Sequence, residues 1–170
     1  MGNEGDYVLR ALRGSDAAAA AELIRLAFAS QSVATDPPPS ALHESAASVA
    51  TALTHQDGAH QDGAQHGGFG AQAPAVLVGV VLWRTQPDGL HLGRLAVHPD
   101  WRGHGIARLL ISSVETVART RGVPRLVLST RLVLHDNRRL FAACGFRETQ
   151  QHAHPGYAHP TFIDMEKLLG

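Results

Sequence analysis

The sequence predicts a mixed α and β domain, of α+β or α/β class, with a mostly antiparallel sheet of about six to seven strands and flanking helices. Short apolar segments of roughly alternating polarity recur between turn signals, as at 90–97 and 161–167, which is typical of strands. Apolar residues at helical spacing fill 106–117, and another strand pattern follows at 124–130. A strand–helix–strand run of this length normally places its two strands parallel. The chain of 170 residues is long enough for one domain, 1–170, with a substantial core.

The composition excludes several classes of protein. The formal net charge is zero and the pI is about 7.2, so no basic face for nucleic acid is indicated. The single cysteine, Cys144, allows no intrachain disulfide. The longest apolar runs are shorter than a membrane span, and residues 1–6 show neither the basic region nor the apolar core of a signal peptide. We therefore expect a cytoplasmic protein that binds neither nucleic acid nor membrane.

The first predicted elements are a strand at 7–12 and a helix at 17–29. Ser15 and Asp16 precede the helix, and both are residue types favoured at a helix N-cap. Three prolines at 37–39 then break the chain, because no helix runs through such a sequence.

A second helix is predicted at 41–53, with Ser40 as its N-cap. It is followed by an identical repeat, His-Gln-Asp-Gly-Ala, at 55–59 and 60–64. We predict that 55–68 is a low-complexity, flexible insert within the domain, because it has almost nothing to bury. Metal binding by its histidines is the weaker alternative, because no cysteine or fixed ligand spacing accompanies them.

The following segments predict a meander of three strands. A short strand is expected at 69–73 and a long apolar one at 76–85. Pro87-Asp88-Gly89 is a strong turn signal, and the central strand at 90–97 follows it.

The most informative stretch is the glycine-rich loop that joins the central strand to the next helix. Gly103 and Gly105 lack a Cβ, so the backbone there can approach a ligand closely. The loop leads into a helix that begins at Ile106 and ends near Gly122. The first N–H groups of a helix have no intrahelical partner and carry partial positive charge, so they bind anions, and Arg102 can add a full charge beside them. The alternative is a tight turn without a ligand.

Two other phosphate-binding loops do not fit. The dinucleotide fingerprint needs a third glycine and a later acidic residue, and the nucleoside-triphosphate loop needs Gly-Lys-Ser/Thr. Neither pattern is present.

At these residues the sequence resembles the GNAT superfamily of acyl-CoA-dependent N-acyltransferases. Its Arg/Gln-x-x-Gly-x-Gly/Ala loop is matched by Arg102, Gly105 and Ala107. The resemblance implies acetyl-CoA as the acyl donor, with its pyrophosphate held by backbone N–H groups of the loop. It also implies that the edge of the central strand bonds the pantetheine arm, and that this strand and the one at 124–130 splay apart around it. The implied cofactor residues are Leu95, Ala96, Val97, Arg102, Gly103, His104, Gly105, Ile106 and Ala107.

A second cofactor motif is indicated in the predicted helix at 135–143, which ends at Gly145 before a strand that starts at Phe146. Asn137 together with Gly145-Phe146 resembles the family pattern Asn…Tyr…Gly-Phe. Asn137 is accordingly expected to contact coenzyme A, with a plain helix cap as the alternative. Phe141 stands where many relatives have a tyrosine that protonates the leaving thiolate, so the resemblance implies that its ring contacts coenzyme A near the sulfur.

The catalytic base is not readable from the resemblance, because the family's usual glutamate is matched by Gly93. Three candidates remain. Glu44 lies on the predicted second helix, His91 shares a strand face with Gly93 and has a suitable ordinary pKa, and Tyr157 precedes the last strand. Each has a non-catalytic alternative: Glu44 as a solvated helix residue, His91 as a surface strand residue and Tyr157 as a packed loop aromatic.

Two functions remain open at this point. The first is an N-acetyltransferase that moves an acetyl group from acetyl-CoA to a primary amine of a small-molecule or peptide acceptor by direct attack. The second is a CoA or acyl-CoA sensor with little or no turnover, which the loss of both usual proton-handling residues favours. No metal is expected, since His152, His154 and His159 lie in a loop sequence rich in turn residues. The acceptor stays unidentified, and a homodimer is an open option for the assembly.

Overall fold

The computed structural model describes residues 6–53 and 65–170. One seven-stranded sheet has the strand order β1-β2-β3-β4-β5-β7-β6. The strands are β1 (Val8–Ala11), β2 (His66–Gln72), β3 (Leu77–Gln86), β4 (Gly89–Val97), β5 (Arg125–Arg131), β6 (Arg147–His152) and β7 (Phe162–Leu168). The helices are α1 (Ala17–Ala29), α2 (Ala46–Leu53), α3 (Ile106–Thr120) and α4 (His135–Ala143).

The sheet is antiparallel except where β4 lies beside β5. These two strands form only two residue pairs in the described chain, Leu90 with Leu126 and His91 with Val127. Towards their carboxyl ends they separate, which leaves one edge of β4 without a strand partner. The predicted fold class and the splayed parallel pair are thereby confirmed.

Helices cover the two faces of the sheet unequally. On one face α3 packs through Ile106, Leu110 and Val114 on a core that continues across β3, β4, β5 and β7. On the other face α1 and α2 pack on the β1 to β4 half. Among the described residues, that second core contains no side chain from β5, β6 or β7. The second face is therefore open over the β5 to β7 half.

Gly79 sets how closely α3 approaches the sheet. A Cβ built there would lie 2.7 Å from Cγ2 of Ile106 and 3.1 Å from Cδ1 of Leu110, so any other residue would push the first turns of α3 away. At the other end, Gly122 has φ of 68°, and the Val123 N–H donates to the carbonyl of Ala118 at 2.9 Å. This is the glycine-terminated helix end that the sequence predicts.

The structure corrects the prediction for the second helix. Residues Ser40–His43 form a separate short 3-10 turn, Glu44 follows it, and α2 begins only at Ala46. Ser45 caps α2, because its hydroxyl accepts from the Ser48 N–H at 3.1 Å. Ser40 and Glu44 are free to turn towards β4 for that reason.

Two further boundaries differ from the prediction. The strand expected at 69–73 begins at His66, so the end of the predicted insert, 66–68, belongs to β2. The remainder of that predicted insert, apart from Gln65, lies outside the described residues. Asp16 does not cap α1 through its side chain, which instead accepts from the Arg13 N–H at 2.7 Å and pairs with Arg10.

No helix within residues 6–53 and 65–170 combines the length and the apolar character of a membrane span.

Candidate active site

A cleft of about 710 Å³ opens where β4 and β5 separate. Its walls come from the end of β4, the loop before α3, the first turns of α3 and α4, and the segment that follows α1. All but one of the predicted cofactor residues line it: Leu95, Ala96, Val97, Arg102, Gly103, Gly105, Ile106, Ala107, Asn137 and Phe141. The two motifs, distant in sequence, are thus brought to one cavity.

The first turn of α3 faces the cleft through a loop without side-chain bulk. Gly103 and Gly105 have φ of 80° and 79°, a conformation that L side chains rarely adopt. A Cβ on either glycine would meet no described atom within 4 Å, so the space in front of the backbone is open. The first N–H groups of the helix have no intrahelical partner, and the residues that carry them line the cleft, which is the arrangement of an anion site.

Arg102 is anchored by other groups rather than free in the cleft. Its guanidinium donates to the carbonyl of Ala27 at 3.1 Å and to the hydroxyl of Ser30 at 3.0 Å. Both acceptors lie at the carboxyl end of α1, where a cation is favoured by the helix dipole. Arg102 therefore ties the loop to α1 and positions it.

His104 is the predicted cofactor residue that does not line the cleft. Its Nδ1 lies 3.0 Å from the carbonyl oxygen of Trp101, and its ring packs beside the Trp101 ring. The side chain therefore braces the loop from outside the cavity.

The second motif occupies the opposite wall of the cleft. Asn137 is the third residue of α4, whose N-cap is Leu134, so the cap alternative is wrong. Its amide has no hydrogen-bond partner in the part of the chain that the structure describes. The Phe141 ring is 6% exposed and packs edge-on against Phe146 with ring centroids 6.0 Å apart, while it also borders the cleft.

A β-bulge sits in β4 beside the cleft. Val80 faces Ala96 but Leu82 faces Gly93, so Arg94 and Leu95 occupy the space of one residue. Arg94 has φ of 51°, which is strained for a residue with a side chain.

Glu44 holds this strained residue in place. The Arg94 Nε donates to a Glu44 carboxylate oxygen at 2.7 Å, and its other nitrogen donates to the Ser40 hydroxyl at 3.1 Å. The Ser48 hydroxyl also donates to the Glu44 carboxylate, whose side chain is 10% exposed. Because both carboxylate oxygens are taken, Glu44 fits a structural role at the bulge better than that of a base.

His91 lines a second, polar groove of about 770 Å³ on the open face of the sheet. Burial lowers the pKa of His91 below its ordinary value of 6.5, and the nearby positive charge of Arg84 lowers it further. The imidazole is therefore neutral at neutral pH and can accept a proton. The other groove residues are Arg84, Gln86, Asp88, Arg125, Val127, Leu128, Ser129, Thr149, Gln150, Asp164, Met165 and Glu166.

Gly93 lies between the groove and the cleft. A Cβ at Gly93 would approach only the His91 ring among the described residues, at 3.8 Å. Leu95, two residues further along β4, already lines the cleft. Position 93 therefore presents no side chain between His91, which lines the groove, and Leu95, which lines the cleft.

Tyr157 lies beyond the carboxyl end of β5, in a contact that bridges two loops. Its hydroxyl donates to the Asp36 carboxylate at 2.5 Å, and this hydrogen bond raises the pKa of Tyr157. Arg131 donates to the carbonyl of Pro37 at 2.7 Å beside it. Tyr157 therefore fastens the segment after α1 to the loop between β6 and β7.

Asp164 is a groove residue that the sequence reasoning missed. It accepts from the Ser129 hydroxyl at 2.6 Å and lies 2.6 Å from Nε2 of His152. The alternation of β7 places it on the polar face, but only the strand register shows which side chains it meets. Within residues 6–53 and 65–170, no group of three or more His, Cys, Asp or Glu is arranged to hold a metal, and this includes His152, His154 and His159.

Comparison with known proteins identifies a family match over most of the chain. Residues 31–146 match the acetyltransferase (GNAT) family. N-acetyltransferase 8F1 from Rattus norvegicus is 34% identical over an alignment of 93 residues, which covers 51% of this chain and 42% of the rat protein. The match thus spans less than half of that relative's length.

Solved structures share the fold over nearly the whole chain. The PaiA N-acetyltransferase from Thermoplasma acidophilum, solved in complex with coenzyme A, has a TM-score of 0.74 at 18% identity, covering 96% of this chain and 99% of that one. The ribosomal-protein-S18-alanine N-acetyltransferase from Escherichia coli has a TM-score of 0.70 at 19% identity, covering 95% and 93%.

Proposed function

The chain belongs to the acetyltransferase (GNAT) family, and from this premise we propose that it transfers an acetyl group from acetyl-CoA to a primary amine of a small-molecule or peptide acceptor. The observation that carries the proposal is the cleft at the start of α3, where two glycines in left-handed conformation leave the helix N–H groups facing open space.

The donor fits the cleft through backbone groups. The N–H groups of Gly105, Ile106 and Ala107 hold the pyrophosphate in this proposal, with the α3 dipole favouring its negative charge. The unpartnered edge of β4 at Leu95–Val97 bonds the amides of the pantetheine arm. The relative from Thermoplasma acidophilum, solved with coenzyme A, supports this assignment through its shared fold.

The reactive end of the donor then lies near the closed end of the β4–β5 gap. A backbone N–H of the β4 edge, on the Gly93 side of the stretch that bonds the pantetheine amides, donates to the thioester oxygen and stabilises the negative charge that develops there. The acceptor amine reaches the same carbon from the groove side, past Gly93. Holding the two reactants together contributes about 7–11 kcal/mol in well-oriented reactions.

His91 is the base that the structure favours among the three candidates. Its imidazole is neutral and lies beside Gly93, whereas Glu44 is bound to Arg94 and Tyr157 to Asp36. His91 takes a proton from the attacking amine, directly or through one water, as the C–N bond forms. The C–S bond breaks, and the thiolate of coenzyme A receives its proton from water, because Phe141 has none to give.

The alternative is a CoA or acyl-CoA sensor with little or no turnover. The observation that favours it is the absence of an acidic side chain at both Gly93 and Phe141. Both functions require coenzyme A to bind, so binding alone does not separate them.

Release of the coenzyme A thiol separates the two. Purified protein is incubated with acetyl-CoA and a mixed library of primary amines, and free thiol and acetylated products are measured by absorbance and by mass. The acetyltransferase predicts amine-dependent thiol release with an increase of one acetyl group in a library member. Tight acetyl-CoA binding without any amine-dependent release would support the sensor and contradict the enzyme.

A further inference from the structure

We propose that Arg84 makes the enzyme select acceptors that carry a carboxylate or similar anionic group close to the reactive amine. This inference rests on the proposed function and deepens it, because it assigns the chemistry of the acceptor that enters the polar groove.

Arg84 lies directly beside the proposed base. In the antiparallel register of β3 and β4, Arg84 pairs with His91. Paired residues project to the same face with Cβ atoms about 5 Å apart. Both side chains line the groove on the open face of the sheet. A guanidinium is thus within one small molecule's length of the point where the amine loses its proton.

Arg84 also carries a positive charge that no ion pair compensates among the described residues. Within residues 6–53 and 65–170 no carboxylate lies within ion-pair distance of its guanidinium. Its guanidinium faces the Gln86 side-chain amide, whose oxygen, when turned towards Arg84, accepts at 3.0 and 3.1 Å. That contact leaves the positive charge in place.

Three other charged groups of the groove, Arg125, Asp88 and Glu166, have ion-pair partners, whereas Asp164 contacts a hydroxyl and an imidazole. Arg125 pairs with Glu166 at 2.9 Å and lies 4.0 Å from Asp88, while Glu166 also pairs with Arg147 at 2.6 Å. Asp164 accepts from Ser129 and contacts His152. Among the described residues, Arg84 is therefore the groove cation without an ion-pair partner, and it favours acceptors that place an anionic group beside His91.

The spacing limits the acceptor further. With the amine at His91, an anionic group about 5 Å away reaches the neighbouring side chain. Free amino acids meet this condition, and so does a peptide with an acidic residue at or next to its N-terminus. The shared chemistry is an amine with a nearby carboxylate, which a planar guanidinium binds through two parallel hydrogen bonds.

Paired acceptors that differ only in charge test the proposal. Glycine and β-alanine are compared with their amides, and C-terminally amidated dipeptides that begin with Asp are compared with those that begin with Asn. Rates are corrected for the fraction of neutral amine, because amidation lowers the pKa of the amine. We expect kcat/KM to be at least 10-fold higher for the anionic member of one set, mainly through KM, and the responding set distinguishes free amino acids from peptides.

Variants of Arg84 assign the preference to this residue. Arg84→Gln should abolish it, Arg84→Lys should retain part of it, and Arg84→Glu should reverse it. Arg119→Gln is the control, since it removes the same charge from the exposed side of α3, where Arg119 pairs with Glu115 at 2.9 Å. Equal kcat/KM for both members of every pair, or a preference that survives Arg84→Gln, would overturn the proposal.

A second measurement separates this proposal from the proposed function. If no amine is acetylated, titration of the acetyl-CoA-saturated protein with the same pairs still reports acceptor binding. Carboxylate-dependent binding that Arg84→Gln removes would support the anion site while contradicting the enzyme. Absence of both turnover and carboxylate-dependent binding would contradict both.

Discussion

The cofactor cleft and the polar groove lie on opposite sides of Gly93 and are built in different ways. The cleft takes the largest share of its lining from one continuous stretch, 95–108, and presents backbone N–H groups and glycines there. The groove is lined by side chains from five strands, β3, β4, β5, β6 and β7. A site made of backbone depends on local conformation, whereas a site made of side chains depends on the register of the whole sheet.

This difference also separates what each cavity can recognise. Helix N–H groups bind any anion of suitable size, so the cleft suits a donor common to a whole family. His91, Arg84 and Asp164 present a particular arrangement of charge, so the groove suits one class of acceptor. Variants on either side of Gly93 should therefore alter different steps.

The largest effect is expected on acetyl-CoA affinity from Gly105→Val, which changes the cleft and leaves the groove intact. A side chain at φ of 79° strains the loop and projects into the open space before the helix N–H groups. Loss of two charge-assisted hydrogen bonds, worth about 2 kcal/mol each, corresponds to a fall in acetyl-CoA affinity of about 10³-fold. Isothermal titration calorimetry measures it.

Gly122→Val is the matched control for that variant. Gly122 has φ of 68°, also has no described atom within 4 Å of a built Cβ, and lies at the opposite end of α3. It should share the strain of about 1–2 kcal/mol and leave acetyl-CoA affinity unchanged. Equal affinity in folded Gly105→Val and wild-type protein would show that the pyrophosphate is not held at this loop.

The next largest effect is expected from His91→Gln, which attacks the groove alone. The kcat should fall about 10²-fold, the lower range for loss of a general base, while acetyl-CoA affinity stays unchanged. The charged neighbours of His91 are Arg84 on β3, Asp88 in the turn and Asp164 on β7, and burial is the main cause of its lowered pKa. The imidazole therefore becomes protonated only below pH 6.5.

The lowered pKa of His91 determines the direction in which kcat changes with pH. Wild-type kcat should be flat above pH 6.5 and fall as His91 gains a proton at lower pH. The His91→Gln enzyme should lose that acidic limb as well as most of its rate. Linkage works in the same direction for stability: a lowered folded-state pKa contributes stability above the unfolded value, and that contribution is lost as the pH falls. An unchanged acidic limb in His91→Gln would exclude His91 as the base.

The sequence predicted the cleft far better than the groove, for a physical reason. Glycines, a helix start and a strand edge within 95–108 are local signals, and local signals determine backbone conformation. Arg84 and Asp164 carry no local signal, because the chain separates them by an entire crossover and only the sheet register brings them to one cavity.

The start of the second helix was also predicted wrongly, because a long-range contact is not visible in the local sequence. Its apolar pattern suited one helix from 41 to 53, but the long-range ion pair between Glu44 and Arg94 accompanies a break before Ala46. Gly79 was likewise unremarkable within an apolar strand, although it determines how closely α3 packs.

The smallest effect is expected from Phe141→Tyr, which adds one hydroxyl to a residue that lines the cleft. If the ring tip faces the cleft, the new hydroxyl meets solvent or the thiol end of the donor, and the free energy of unfolding should change by less than about 1 kcal/mol. If the tip faces the core beside Phe146, the buried hydroxyl lacks a partner and costs about 1–3 kcal/mol. Thermal unfolding separates the two orientations before any rate is measured.

The rate then reports whether thiolate protonation matters. A tyrosine at the thiol end adds an acid, so kcat should rise no more than several-fold and should gain an alkaline limb where the tyrosine loses its proton, while the acidic limb set by His91 stays in place. Phe146→Tyr is the matched control, because Phe146 packs against the same ring in the same core but does not line the cleft in the described structure. Strong destabilisation by Phe141→Tyr, equal to that of Phe146→Tyr, would place position 141 away from the thiol. Proton delivery to the thiolate would then depend on water alone, and the groove side of Gly93 would contain the enzyme's proton-transfer residue.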